Sequence, residues 1–119
     1  DVVNEAFLDD GTLRPTIWSE HLGRDYMARC FQYAREADPN VKLFYNDYGQ
    51  EYSARKLAAM LALAADFKKR GIPIDGLGLQ MHTHIDHPDA QIENAIRQTA
   101  GTGLLVHISE LDIRVNQAK

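Results

Sequence analysis

Cysteine is nearly absent from this chain: Cys30 is the sole one, which excludes an internal disulfide. It falls on the apolar side of a helical pattern, where packing accounts for it. Positive charge is also short. Thirteen Lys and Arg face 17 Asp and Glu, for a formal charge of −4 and a pI near 5.7. No basic face is therefore on offer to the phosphates of a nucleic acid. No apolar run reaches the roughly 18 residues of a membrane-spanning helix, and there is no low-complexity tract or linker. No signal peptide is visible, but the first residues read as part of a strand, so that absence says little about compartment. What remains is 45% hydrophobic and 25% charged, the balance of an ordinary globular domain.

Three helical patterns stand out. Residues 24–37 bring Met27, Cys30, Phe31 and Ala34 to helical spacing, and "DPN" at 38–40 ends them. Residues 54–70 follow Ser53 as an N-cap and place Leu57, Met60, Leu61, Ala64 and Phe67 on one stripe, with "KKR" and then Gly71 at the end. Residues 89–100 follow Pro88 and group Ile92, Ala95, Ile96 and Thr99. Between these lie apolar runs of strand type: Val2–Val3, Val41–Tyr45, Leu77–Met81 and Leu104–Ile108. They lack clean alternation, as in a parallel sheet covered on both faces. Residues 9–23 form a longer loop with a short helical turn at 16–22. The alternation of strand and helix predicts right-handed crossovers and parallel pairing. Two architectures satisfy it: a small doubly wound sheet, or half of a (β/α)8 barrel.

Each predicted strand finishes in polar residues: Asn4 and Glu5, then Asn46 and Asp47, then Gln80 and His82, then Glu110 and Asp112. Parallel α/β folds place their chemistry at such carboxyl ends. Glu5 and Glu110 form the natural pair, because glycoside hydrolysis needs one carboxylic acid and one ionised carboxylate across a cleft. Asn4 could hold a sugar hydroxyl. His82 could donate to Glu110, and Asp112 could orient His82. Gln80 shares strand parity with His82. Plainer readings stand beside these. A strand-end Glu can simply be solvated, and Asn46–Asp47 before Tyr48–Gly49 reads as a turn. Trp18, Tyr45 and Tyr48 are possible sugar platforms, with packing the preferred role for Trp18 and Tyr45. The stretch "MHTHIDHPD" at 81–89 offers His82, His84, Asp86 and His87 as an alternative metal set, though in no known zinc spacing.

Four pieces together resemble glycoside hydrolase family 10, the endo-β-1,4-xylanases: "DVVNEA" at 1–6, "LFYNDY" at 43–48, "IDGLGLQMH" at 74–82 and "HISELDI" at 107–113. They keep the family's order, with one helix in each interval. The resemblance implies a partial glycoside hydrolase catalytic domain over 1–119, comprising about strands four to seven of a (β/α)8 barrel. It implies Glu5 as acid/base and Glu110 as nucleophile of a retaining double displacement. Asn4 would bind the sugar 2-hydroxyl, His82 and Asp112 would support the nucleophile, Gln80 would line the pocket, and Tyr48 would lie on the leaving-group side. The substrate implied is xylan or a xylo-oligosaccharide, with no cofactor and no catalytic metal. The location implied is secreted or periplasmic. Two departures are visible: Gly49 where the family often has asparagine, and Ser109 where threonine is common. Three alternatives remain: a related retaining barrel glycosidase acting on another β-linked polysaccharide such as cellulose, a metal-dependent hydrolase using the histidines, and a non-catalytic α/β module.

Overall fold

A computed structural model describes residues 1–115. Four short strands, β1 (Val3–Asn4), β2 (Phe44–Asp47), β3 (Gly76–Leu79) and β5 (Leu105–Ile108), pair in parallel in the order β1-β2-β3-β5. A second parallel pair joins β4 (His82–His84) to β6 (Asp112–Arg114). Helices α1 (Ile17–Leu22) and α2 (Tyr26–Ala37) connect β1 to β2, α3 (Ala54–Arg70) connects β2 to β3, and α4 (Asp89–Ala100) leads into β5.

The helix limits follow from local chemistry. For α3 the Ser53 side chain accepts the Lys56 backbone N–H, and Gly71 turns the chain out of the helix at φ 67. The short α1 is held by a capping box between Thr16 and Ser19. Helix α2 begins at Tyr26, two residues later than its apolar spacing predicts, with Asp25 at the N-cap position. The ends of α3 and α4 match the sequence reading.

The strands are shifted relative to expectation. Residues 41–43 are not in β2. Arg35 draws the carbonyls of Pro39 and Val41 into a turn, with Nη1 at 2.8 Å from each. Leu43 N–H donates to the Asp75 carboxylate at 2.8 Å. Strand β2 therefore runs further, through Asn46 and Asp47, which are strand residues and not a turn. Strand β3 stops at Leu79, and Met81 adopts a left-handed φ of 64.

Register divides the sheet into two faces. Val3, Tyr45, Leu77 and Val106 lie across from one another. The first three join Met27, Phe31, Leu57, Met60 and Phe67 in one core beneath the helices. Asn4, Asn46, Gly78 and His107 form the next row. On this second face Asn4, Leu105 and His107 are exposed. Among the described residues the helices cover one face of the sheet, and β1 and β5 are its edge strands.

The aromatic pair at the centre of the helical layer sets a testable cost. Phe31 and Phe67 meet edge to face at 5.3 Å, and both are buried. Phe67→Ala is expected to lose about 3–5 kcal/mol of unfolding free energy in a urea titration. A loss below about 1 kcal/mol would show that this contact does not anchor the layer.

Candidate active site

Parallel register sends the carboxyl ends of all four sheet strands to one rim. The hydrogen-bond ladder continues past the strands themselves. Glu5 N–H donates to the Asn46 carbonyl at 2.9 Å, Gln80 N–H to that of Asp47 at 2.9 Å, and Glu110 N–H to that of Gln80 at 3.0 Å. Backbone pairing thus positions Glu5, Gln80 and Glu110 before any side chain acts.

The side chains then form a continuous network. Asn4 Oδ1 accepts from two amides, Asn46 Nδ2 at 3.0 Å and Gln80 Nε2 at 3.3 Å. The same Gln80 nitrogen lies 3.0 Å from Glu5 Oε1, and the same Asn46 nitrogen lies 2.9 Å from Glu110 Oε1. The two candidate carboxylates are therefore linked through two amides that share one acceptor. Glu110 Oε2 lies 3.2 Å from His82 Nε2, while His82 Nδ1 lies 2.8 Å from Asp112 Oδ2. Gln80 is buried, whereas the Glu110, His82 and Asp112 side chains are 44%, 42% and 66% exposed. The network thus has a buried amide floor and an open carboxylate rim.

Two backbone kinks aim this set. Glu5 has φ 53 and Met81 has φ 64, both in the left-handed region that side chains disfavour. The Met81 kink breaks strand alternation between Gln80 and His82. Gln80 consequently reaches Glu5, and His82 reaches Glu110. The common parity predicted for those two residues does not hold, although both meet the site.

Several contacts in the site were not assigned by the sequence reading. Asn46 is 5% exposed; besides its two donations it accepts the Ser109 hydroxyl at 2.7 Å. Its space depends on Gly78, where an added Cβ would lie 2.3 Å from Asn46 Oδ1. Asp47 is 1% exposed and pairs with Lys56 Nζ at 3.0 Å, a lysine with no side-chain exposure. Asp47 also accepts the Tyr45 hydroxyl. Burial and the neighbouring Asp47 charge drive the Tyr45 phenol far above its usual range. Lys56 Nζ stands 3.4 Å from the centroid of the Tyr48 ring, a cation–π contact. The Tyr48 hydroxyl accepts from Arg14 Nη2 at 3.1 Å.

Tyr45 packs in the core as expected, but Trp18 does not: it is 61% exposed and borders a recess with Asn4, Glu5 and Arg14. The histidine stretch does not gather. His82 lies between Glu110 and Asp112, the His84 and His87 rings are 6.3 Å apart, and His87 Nε2 faces the Glu51 carbonyl at 3.3 Å. Among the described residues no group of three or more His, Cys, Asp or Glu is placed to hold a metal ion.

The model of glycosyl hydrolase family 10 matches residues 1–119. The chain belongs to glycosyl hydrolase family 10. It is 43% identical over 98% of its length to endo-1,4-beta-xylanase A of Thermoanaerobacterium saccharolyticum, spanning 10% of that protein. It is 42% identical over 98% of its length to exoglucanase XynX of Acetivibrio thermocellus, spanning 11%. Among solved structures, it superposes with TM-score 0.94 and 43% identity on a family 10 endoxylanase from a sugarcane soil metagenome, covering 99% of this chain and 34% of that one. It superposes with TM-score 0.92 and 42% identity on an intracellular xylanase of T. saccharolyticum in complex with xylotriose, covering 95% of this chain and 35% of that one. The chain thus spans about a third of the solved relatives, and its parallel sheet is part of a family (β/α)8 barrel.

His82 supplies a titration test. The hydrogen bond to Asp112 raises its pKa above the ordinary 6.5, aided by the Asp112 charge and by Glu110 and opposed by desolvation. An imidazolium can donate to both carboxylates at once, whereas a neutral ring can donate to only one. The stabilisation of this pairing is therefore complete below about 6.5 and disappears as pH rises through the elevated midpoint. An NMR titration should place His82 above 6.5, and Asp112→Asn should bring it down. A midpoint at or below 6.5 in the unaltered chain would contradict this.

Proposed function

We propose that this chain carries the catalytic pair of a retaining endo-β-1,4-xylanase. The observation that carries the reading is the amide-bridged placement of Glu5 and Glu110 on one rim of a family 10 sheet. A second observation supports it. In the T. saccharolyticum xylanase, the two Glu→Ala variants described with xylotriose and xylotetraose change glutamates separated by the same number of positions as Glu5 and Glu110.

In this reading the substrate is xylan or a xylo-oligosaccharide. Glu110 attacks the anomeric carbon while the Glu5 carboxyl gives its proton to the departing glycosidic oxygen. A glycosyl ester forms on Glu110. Glu5, now ionised, removes a proton from water, which attacks the same carbon and releases Glu110. Asn46 and His82 stabilise the charge that returns to Glu110 at release. Gln80 orients Glu5 through one oxygen and leaves the other for the travelling proton. Asn4 presents its amide nitrogen to the sugar 2-hydroxyl, its oxygen being already engaged. Tyr48 borders the leaving-group side.

The exoglucanase name of one relative favours a second reading, a retaining glycosidase acting on β-1,4-glucan. For location, a polymeric substrate argues for a secreted or periplasmic enzyme, while one solved relative is described as intracellular. Fractionation of the producing cells with a xylanase assay separates the two.

The chain spans only part of a barrel, so the test uses a completed one, in which residues 1–119 replace the matching segment of the T. saccharolyticum xylanase. This chimaera is expected to cleave xylan with retention of the β-anomer, read by NMR, and to prefer xylan to β-glucan. Glu5→Gln is expected to slow xylan turnover by about 10²–10⁴-fold, and Glu110→Gln to abolish it. Inversion of configuration, or full activity in either variant, would end the proposal.

A further inference from the structure

Arg14, between β1 and α1, borders the same recess as Asn4 and Glu5 and is hydrogen-bonded directly to the candidate acid/base segment. Arg14 Nε donates to the Glu5 backbone carbonyl at 2.7 Å. Arg14 Nη2 donates to the Phe7 carbonyl at 3.3 Å and to the Tyr48 hydroxyl at 3.1 Å. Arg14 backbone N–H donates to the Ala6 carbonyl at 2.7 Å. Three successive carbonyls, from Glu5 to Phe7, are thus held by this one residue. Its own carbonyl accepts the Ser19 hydroxyl at 2.9 Å, which ties it to the capping box of α1.

Glu5 needs such a hold. Its φ of 53 is one that a side-chain-bearing residue keeps only when its surroundings fix both adjoining peptides. Its N–H is fixed by the sheet through Asn46, and the peptide that follows it is held at both ends, the carbonyl by Arg14 and the Ala6 N–H by the Tyr45 hydroxyl at 3.1 Å. A guanidinium suits this task because its planar fork serves several acceptors with a fixed spacing, which an ammonium cannot do.

We infer that Arg14 is a positioning residue for acid/base catalysis, holding the Glu5 peptide in its left-handed turn and tying it to Tyr48. It touches no reacting atom; it sets where the Glu5 carboxyl stands. This rests on the assignment of Glu5 as acid/base made above. Without Arg14 the Glu5 carbonyl loses its donor, the turn relaxes toward extended backbone, and the carboxyl moves off the glycosidic oxygen. Proton delivery suffers first, whereas attack by Glu110 on the far side of the network does not.

That asymmetry separates positioning from general damage. The completed barrel is assayed with two β-xylobiosides: a phenyl one, whose leaving oxygen needs a proton, and a 2,4-dinitrophenyl one, whose leaving oxygen does not. The quantity compared is kcat/KM, which reports the first chemical step. Arg14→Ala is expected to lower kcat/KM for the phenyl glycoside about 10²-fold and to leave the dinitrophenyl value within about threefold. Arg14→Lys, which keeps the charge and loses the fork, should show the same split to a smaller extent, and it carries the test if Arg14→Ala fails to fold. Glu5→Ala is the reference. If Glu5→Ala shows no split between the two substrates, the acid/base assignment falls. If Glu5→Ala shows the split while the Arg14 variants lose both activities equally, or neither, the positioning role of Arg14 is overturned.

Discussion

One buried amide holds the site together. Asn46 donates to Asn4 and to Glu110 from the same nitrogen and accepts from Ser109 on its oxygen, joining residues from the ends of three strands. It is 5% exposed, so each of these bonds is made away from bulk water, where an unmet partner is costly. The arrangement requires that the neighbouring strand present no side chain at Gly78, and β3 meets this with "GLGL". The glycines of that strand lie on the face that carries the chemistry, and its leucines lie on the face that carries the core. Sequence alternation here sorts function from stability.

Much of the architecture was readable in the residue order. Helix α3 has the predicted limits because cap, apolar stripe and terminal glycine agree with one another, and α4 keeps its predicted limits between Pro88 and Gly101. The parallel sheet followed from the alternation of strand and helix. Asn4, Glu5, Gln80, His82, Glu110 and Asp112 were all chosen from polar strand ends, and all six meet in one hydrogen-bonded set. That grouping reflects a general feature of parallel sheets, whose carboxyl ends share a rim whenever their register is aligned.

Most of the failures share a physical source: local chemistry was read where tertiary partners decide. Asn-Asp before Tyr-Gly has the composition of a turn, yet Asp47 meets Lys56 and Asn46 meets Glu110, and those distant partners keep both in the strand. Lys56 lies one residue short of the apolar stripe of α3 and would ordinarily reach water; a buried carboxylate beneath it reverses that expectation. The β4 and β6 pair was invisible because each strand has three residues, too few for a pattern. Trp18 was expected to pack and instead stands open at the rim, beside the carboxyl end of β1. Arg14 gave no signal beyond being a charge in a loop, since its partners are mostly main-chain carbonyls.

The ammonium group beneath Tyr48 has a directional consequence. An aromatic ring offers two faces, and Lys56 occupies one of them at 3.4 Å. The ring is also held through its hydroxyl, which accepts from Arg14 at 3.1 Å. Tyr48 is therefore one-sided: any group that stacks on it must come from the face opposite Lys56, so the fold sets that direction in advance.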